Sequence, residues 1–114
     1  MGGWAIPFRN DEGNELVLPR PVVVSKLRRK RHLCAEEFTY LRGRTTAQPK
    51  VTFISAQQAA AYYDPQKSGA AYPTIDGYLA DLVDIFRGEV EELIRLGCTY
   101  IQVDAPQYAG LVDP

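Results

Sequence analysis

One amphipathic pattern constrains this chain more than any other feature. From Thr74 to Leu96, the residues Ile75, Tyr78, Leu79, Leu82, Phe86, Val90, Leu93 and Ile94 recur mostly at spacings of three and four. That periodicity draws one apolar stripe along an α-helix. Thr74 offers an N-cap oxygen and Asp76 a first-turn carboxylate, while Gly97 suits a left-handed residue just past the end. Arg87, Glu91 and Arg95 lie four apart and are expected to pair on the opposite face, at about 0.2–0.5 kcal/mol per pair. Gly88 interrupts the helix, which predicts a close packing contact there. Directly afterwards, Thr99-Tyr100-Ile101-Gln102-Val103-Asp104 reads as a strand closed by Ala105-Pro106.

The preceding residues continue the alternation. Val22-Val23-Val24-Ser25-Lys26-Leu27 is β-branched and nearly continuous in apolar character, the pattern of a strand buried on both faces of a parallel sheet. Cys34 to Leu41 predicts a short helix with Phe38 and Leu41 on one side, ended by Gly43. Lys50 to Ser55 reads as a second strand, Ala56 to Tyr63 as one or two helical turns, and Asp64 to Pro73 as a loop. Residues 1–20 read as an irregular segment rich in turn formers, from Pro7 through Asn10-Asp11-Glu12-Gly13-Asn14 to Pro19, with Trp4 and Phe8 as anchors. Residues 21–114 form the domain. Strands alternating with helices predict an α/β fold with a parallel sheet and right-handed crossovers.

Of the 114 residues, 46% are hydrophobic and 24% charged, which excludes disordered, collagenous and coiled-coil classes. The longest apolar runs are a few residues, against roughly 20 for a bilayer span, and no secretory leader opens the chain, so the expectation is a cytoplasmic protein without a membrane partner. Cys34 and Cys98 are the only cysteines and read as unpaired thiols, and His32, the sole histidine, does not by itself make a metal site. The net charge of −1 conceals an asymmetry, because residues 1–50 carry 10 basic and 5 acidic side chains whereas residues 51–114 carry 3 and 9. Most of the basic excess is the run Lys26, Arg28, Arg29, Lys30 and Arg31. No aromatic residues interleave it and no nucleic-acid-binding motif accompanies it, so a solvated loop is the expected role and nucleic acid a lesser one.

In parallel α/β folds, ligands bind beyond the carboxyl ends of the strands. The candidate positions are Ser25-Lys26, Ser55-Ala56-Gln57 and the segment around Gln102. Alternation along Ile101-Gln102-Val103-Asp104 puts Gln102 and Asp104 on one face. Two polar side chains on a helix-covered strand are costly unless they meet a ligand or each other, so Asp104, Gln102 and Ser55 are the candidate substrate-binding residues. Asp104 suits a cationic amine; its competing role is that of a turn residue before Ala105-Pro106. No phosphate-binding loop, nucleophile elbow or histidine near Asp104 in sequence is present, so no catalytic residue is assigned.

These residues resemble a known family. Tyr72-Pro73, Phe86-Arg87-Gly88-Glu89-Val90, Leu96-Gly97-Cys98 and Ile101-Gln102-Val103-Asp104 resemble the R-x-E-(V/I)-x-x-L helix, G-C turn and I-Q-(I/L)-D strand of the cobalamin-independent methionine synthase family. Val23-Val24-Ser25-Lys26-Leu27, Phe38-Thr39-Tyr40-Leu41-Arg42 and Pro49-Lys50-Val51-Thr52 resemble its shorter, single-barrel relatives. The resemblance covers roughly residues 20–113. It implies a (βα)8 TIM barrel, of which 114 residues supply only a parallel βαβαβ portion, since a whole barrel takes about 200 residues or more. It further implies methyl transfer from methyltetrahydrofolate to homocysteine in methionine biosynthesis, with zinc activating the homocysteine thiolate. By the resemblance, Asp104 holds the substrate's amino group, Tyr62 and Tyr63 take the place of an aromatic folate-contact segment, and the zinc ligands lie on later strands. The expectation is therefore a methyltransferase fragment that binds no zinc and is inactive by itself. The alternative is a small non-catalytic α/β module acting through self-association, or partner binding, that hides its open sheet edges in a homo-oligomer.

Overall fold

The computed structural model describes residues 7–17 and 21–106. It is a mixed α/β structure whose parallel sheet has two strands, β3 (Val51–Ile54) and β4 (Ile101–Asp104). Val51 lies opposite Ile101 and Ile54 opposite Asp104, so the two strands end together at their carboxyl ends. The connection between them runs through α2 (Ala56–Ala59), a 3-10 turn (Ala60–Tyr62), α3 (Pro65–Ser68) and the long α4 (Ile75–Arg95). Helix α1 (Ala35–Arg42) precedes β3. A separate antiparallel pair, β1 (Pro7–Arg9) and β2 (Glu15–Val17), lies near the start.

That hairpin corrects the expectation of an irregular segment. Asn10 to Asn14 are turn formers because they close a tight loop. The Asn10 amide donates to the Asn14 carbonyl at 3.1 Å, and the Asn14 amide donates to the Asn10 side-chain oxygen at 2.8 Å. Gly13 takes a φ of 83°, open to glycine without steric cost. Trp4 and the Phe8 side chain lie outside the described residues.

Helix α4 follows its sequence pattern at both ends. Thr74 accepts a hydrogen bond from the Gly77 amide at 3.3 Å. At the other end the Cys98 amide donates to Leu93 O at 2.8 Å and the Gly97 amide to Ile94 O at 2.9 Å, with Gly97 at a φ of 88°. This is the Schellman arrangement that satisfies the last carbonyls. The buried face differs from the expected stripe. It consists of Tyr78, Leu82, Glu89 and Leu93, while Ile75 is exposed and Ile94 is 61% exposed. The expected pairing among Arg87, Glu91 and Arg95 gives way to three-residue steps, Arg87 to Asp84 at 3.0 Å and Arg95 to Glu92 at 2.6 Å. The Arg95 hydrogen bonds hold the Glu92 carboxyl below its ordinary pKa.

Residues 22–27 do not form the strand expected from their sequence, and Val24 is 64% exposed rather than buried. Their backbone is instead bonded by the loops of the connection. The Val23 amide donates to Tyr62 O at 2.9 Å, Ser68 Oγ donates to Val23 O at 2.6 Å, and the Leu27 amide donates to the Tyr72 hydroxyl at 2.7 Å. Once those groups are satisfied by side chains and turns, no ladder to β3 forms. Val23 and Leu27 still pack on the core of Ala59, Tyr72, Tyr78 and Leu82. A second cluster, Phe38, Leu93 and Cys98, joins α1 to the far half of α4.

Candidate functional site at the carboxyl end of the parallel sheet

Ser55, Gln102 and Asp104 meet where β3 and β4 end. Parallel register brings Ser55 beside Asp104, and the Ser55 amide donates to the Asp104 carbonyl at 2.8 Å. The Ser55 hydroxyl is turned to local work, since it caps α2 by accepting from the Gln58 amide at 3.2 Å. Gln102 and Asp104 share a face, as strand alternation requires. Gln102 Nε2 donates to Asp104 Oδ1 at 2.5 Å, and Lys50 Nζ donates to Gln102 Oε1 at 3.0 Å. The line from Lys50 through Gln102 fixes one carboxylate oxygen of Asp104.

An open groove of about 630 Å³ lies over this end of the sheet, lined by Ile54, Gln58, Gln102, Val103, Asp104 and the Ala105-Pro106 turn. Gln58 was not legible as a site residue, because its sequence context is an ordinary helical turn. Its Oε1 is buried without a hydrogen-bond partner among the described residues. Gln58 and Asp104 line the same groove, and a carboxylate there is an environment for a cationic donor. Tyr62 and Tyr63, the candidates for an aromatic ligand contact, are partly buried against the core. Tyr63 stacks on Tyr78 with ring centroids 6.1 Å apart, and its hydroxyl donates to Tyr72 O at 3.0 Å.

Cys34 and Cys98 are both free thiols. Burial raises the Cys34 pKa, and the Glu89 and Glu37 carboxylates raise it further. Among the described residues, no three His, Cys, Asp or Glu side chains converge closely enough to hold a metal ion. Those residues do not fit a zinc site.

Away from the sheet, the basic run lies along α4 and is partly neutralised by it. Lys26 pairs with Asp81 at 3.6 Å and sits 4.1 Å from the centroid of the Tyr72 ring, while Arg29 reaches Glu89 at 3.8 Å. The Arg29 guanidinium lies against Gly88, where a Cβ would require the end of that side chain to move. His32 Nδ1 lies 3.2 Å from Glu89 Oε1, without hydrogen-bond alignment.

The fold and site define a mixed α/β chain with an open groove at the carboxyl ends of two parallel strands. No family model, curated protein or solved structure matches the chain. No helix among the described residues is long and apolar enough to cross a membrane.

Proposed function

We propose that this chain binds the amino-acid end of the substrate in a homocysteine S-methyltransferase of the cobalamin-independent methionine synthase type, as a βα section of its (βα)8 barrel. The observation that carries this reading is that Asp104 and Gln58 line one groove beyond β3 and β4. A substrate ammonium has three donors. It pairs with the carboxylate oxygen of Asp104 that Gln102 leaves free. The role of Gln102 and Lys50 is to hold that carboxylate still, which reduces the ordering cost of binding. Methyl transfer from methyltetrahydrofolate and activation of the homocysteine thiolate by zinc require donors that are not found among the described residues.

The test is an amide-resolved NMR titration of the whole chain with L-homocysteine and with its N-acetyl derivative. The expected result is saturable shifts at residues 54–58 and 102–105 with the free amine, lost on acetylation and in Asp104→Asn. Equal shifts with the acetylated compound, or none with either, overturn the reading.

A second reading has its own observation. Each strand of the parallel pair has one neighbour among the described residues, and Val103 on that sheet is 52% exposed. We propose as the alternative a non-catalytic module in which a second copy covers these edges. Light scattering decides it, since a monomer at micromolar concentration removes this reading.

A further inference from the structure

We infer that the groove between the basic segment and α4 is a docking site for an acidic peptide bearing an aliphatic side chain. The groove measures about 310 Å³ and is lined by Leu27, Leu33 and Ile85 together with Arg28, Lys30 and Arg31. Its apolar part is open to solvent, with Leu33 58% exposed. The cations of the run divide into two sets. Lys26 and Arg29 turn inward to Asp81 and Glu89. Arg28 and Lys30 have no carboxylate partner among the described residues, and Arg31 has only an exposed contact to Glu36 at 3.7 Å. An occupant must therefore offer negative charge to this rim and an apolar group to Leu27, Leu33 and Ile85.

Charge complementarity selects an anionic occupant, and the aliphatic floor selects among anions. A nucleic acid presents phosphates and flat bases, and the inward cations are already lost to it. Stacking on single strands relies on aromatic side chains, and none of the groove residues is aromatic. An acidic peptide with a leucine between its carboxylates matches both halves of the surface. Glu89 keeps the groove's wall in place, because its carboxylate accepts from the Leu33 amide at 2.7 Å and faces Arg29.

The experiment is fluorescence anisotropy of the whole chain with a labelled peptide of alternating glutamate pairs and leucines, in salt of about 0.15 M, where loose charge attraction beyond about 8 Å is screened. Saturable binding is expected. It should weaken about tenfold in the double variant Arg28→Glu, Lys30→Glu, and to a similar degree when the peptide's leucines become alanines, a tenfold step being the usual scale for one well-placed contact. Absence of binding overturns the proposal, as does an alanine peptide that binds equally well. Tighter binding of a random DNA duplex, or of anionic phospholipid vesicles, with the same loss in the double variant would assign the surface to those ligands instead.

Discussion

The Glu89 carboxylate accepts a hydrogen bond from the backbone amide of Leu33 at 2.7 Å, across 56 residues of sequence. Glu89 is 2% exposed and lies on the buried face of α4. A charge so placed must be compensated, and Arg29 supplies the positive side from the same segment that carries Leu33. The contact ties the basic segment to the helix and explains why that segment has a fixed path without belonging to a sheet.

Replacing Glu89 with alanine should lower stability by about 2–3 kcal/mol, because it leaves a cavity and an unpaired amide. Glu89→Gln keeps an acceptor for Leu33 and should cost less. Urea denaturation of both variants checks the order. If alanine is tolerated as well as glutamine, the carboxylate does not hold the segment.

The Cys34 thiol should react slowly with a disulfide reagent at pH 8, since burial and two carboxylates raise its pKa. In a Cys98→Ser background, Glu89→Gln should speed that reaction, because one of the two negative charges is gone. An unchanged rate would show that burial alone governs the thiol.

Burial raises the pKa of both Tyr72 and Tyr78 above the ordinary tyrosine value near 10. The native state therefore keeps protons that the unfolded chain releases. The stability these phenols contribute is complete below pH about 10 and falls as pH rises toward their native pKa values. Absorbance at 295 nm should show part of the tyrosine signal appearing only as the protein unfolds in alkali. For Tyr72→Phe, loss of the hydroxyl shared by Leu27 and Asp81 should cost about 1–2 kcal/mol at neutral pH.

Gly97→Ala should destabilise by about 1 kcal/mol, because the φ of 88° is unfavourable for any residue with a Cβ. Thermal unfolding checks this, with Gly43→Ala as a control, since Gly43 ends α1 at a φ of −77°. Equal effects at the two glycines would contradict the role given to backbone conformation.

The legible parts were those decided locally. The caps of α4, its Schellman end, the short helix around Phe38 and the strands at 51–54 and 101–104 follow from residues within a few positions of each other. So did the common face of Gln102 and Asp104, because strand alternation is a property of the backbone. Gln58 escaped notice, since an unsatisfied amide oxygen is a fact about three-dimensional neighbours.

Sequence alone determined the helices α1, α2 and α4, where α4 begins and ends, and the strands β3 and β4, whereas helix α3 (Pro65–Ser68) lies where a loop was expected. Tertiary structure decided the fate of residues 22–27. Their β-branched composition favours extended backbone, but composition does not specify which partner will bond it, and Tyr62, Ser68 and Tyr72 satisfied those groups instead of a neighbouring strand. It also decided that Glu89 would occupy the apolar stripe. Periodicity ranks side chains by polarity, whereas the energy of a buried carboxylate depends on partners brought to it from far along the chain, the Leu33 amide 56 residues away and the Arg29 guanidinium beyond it.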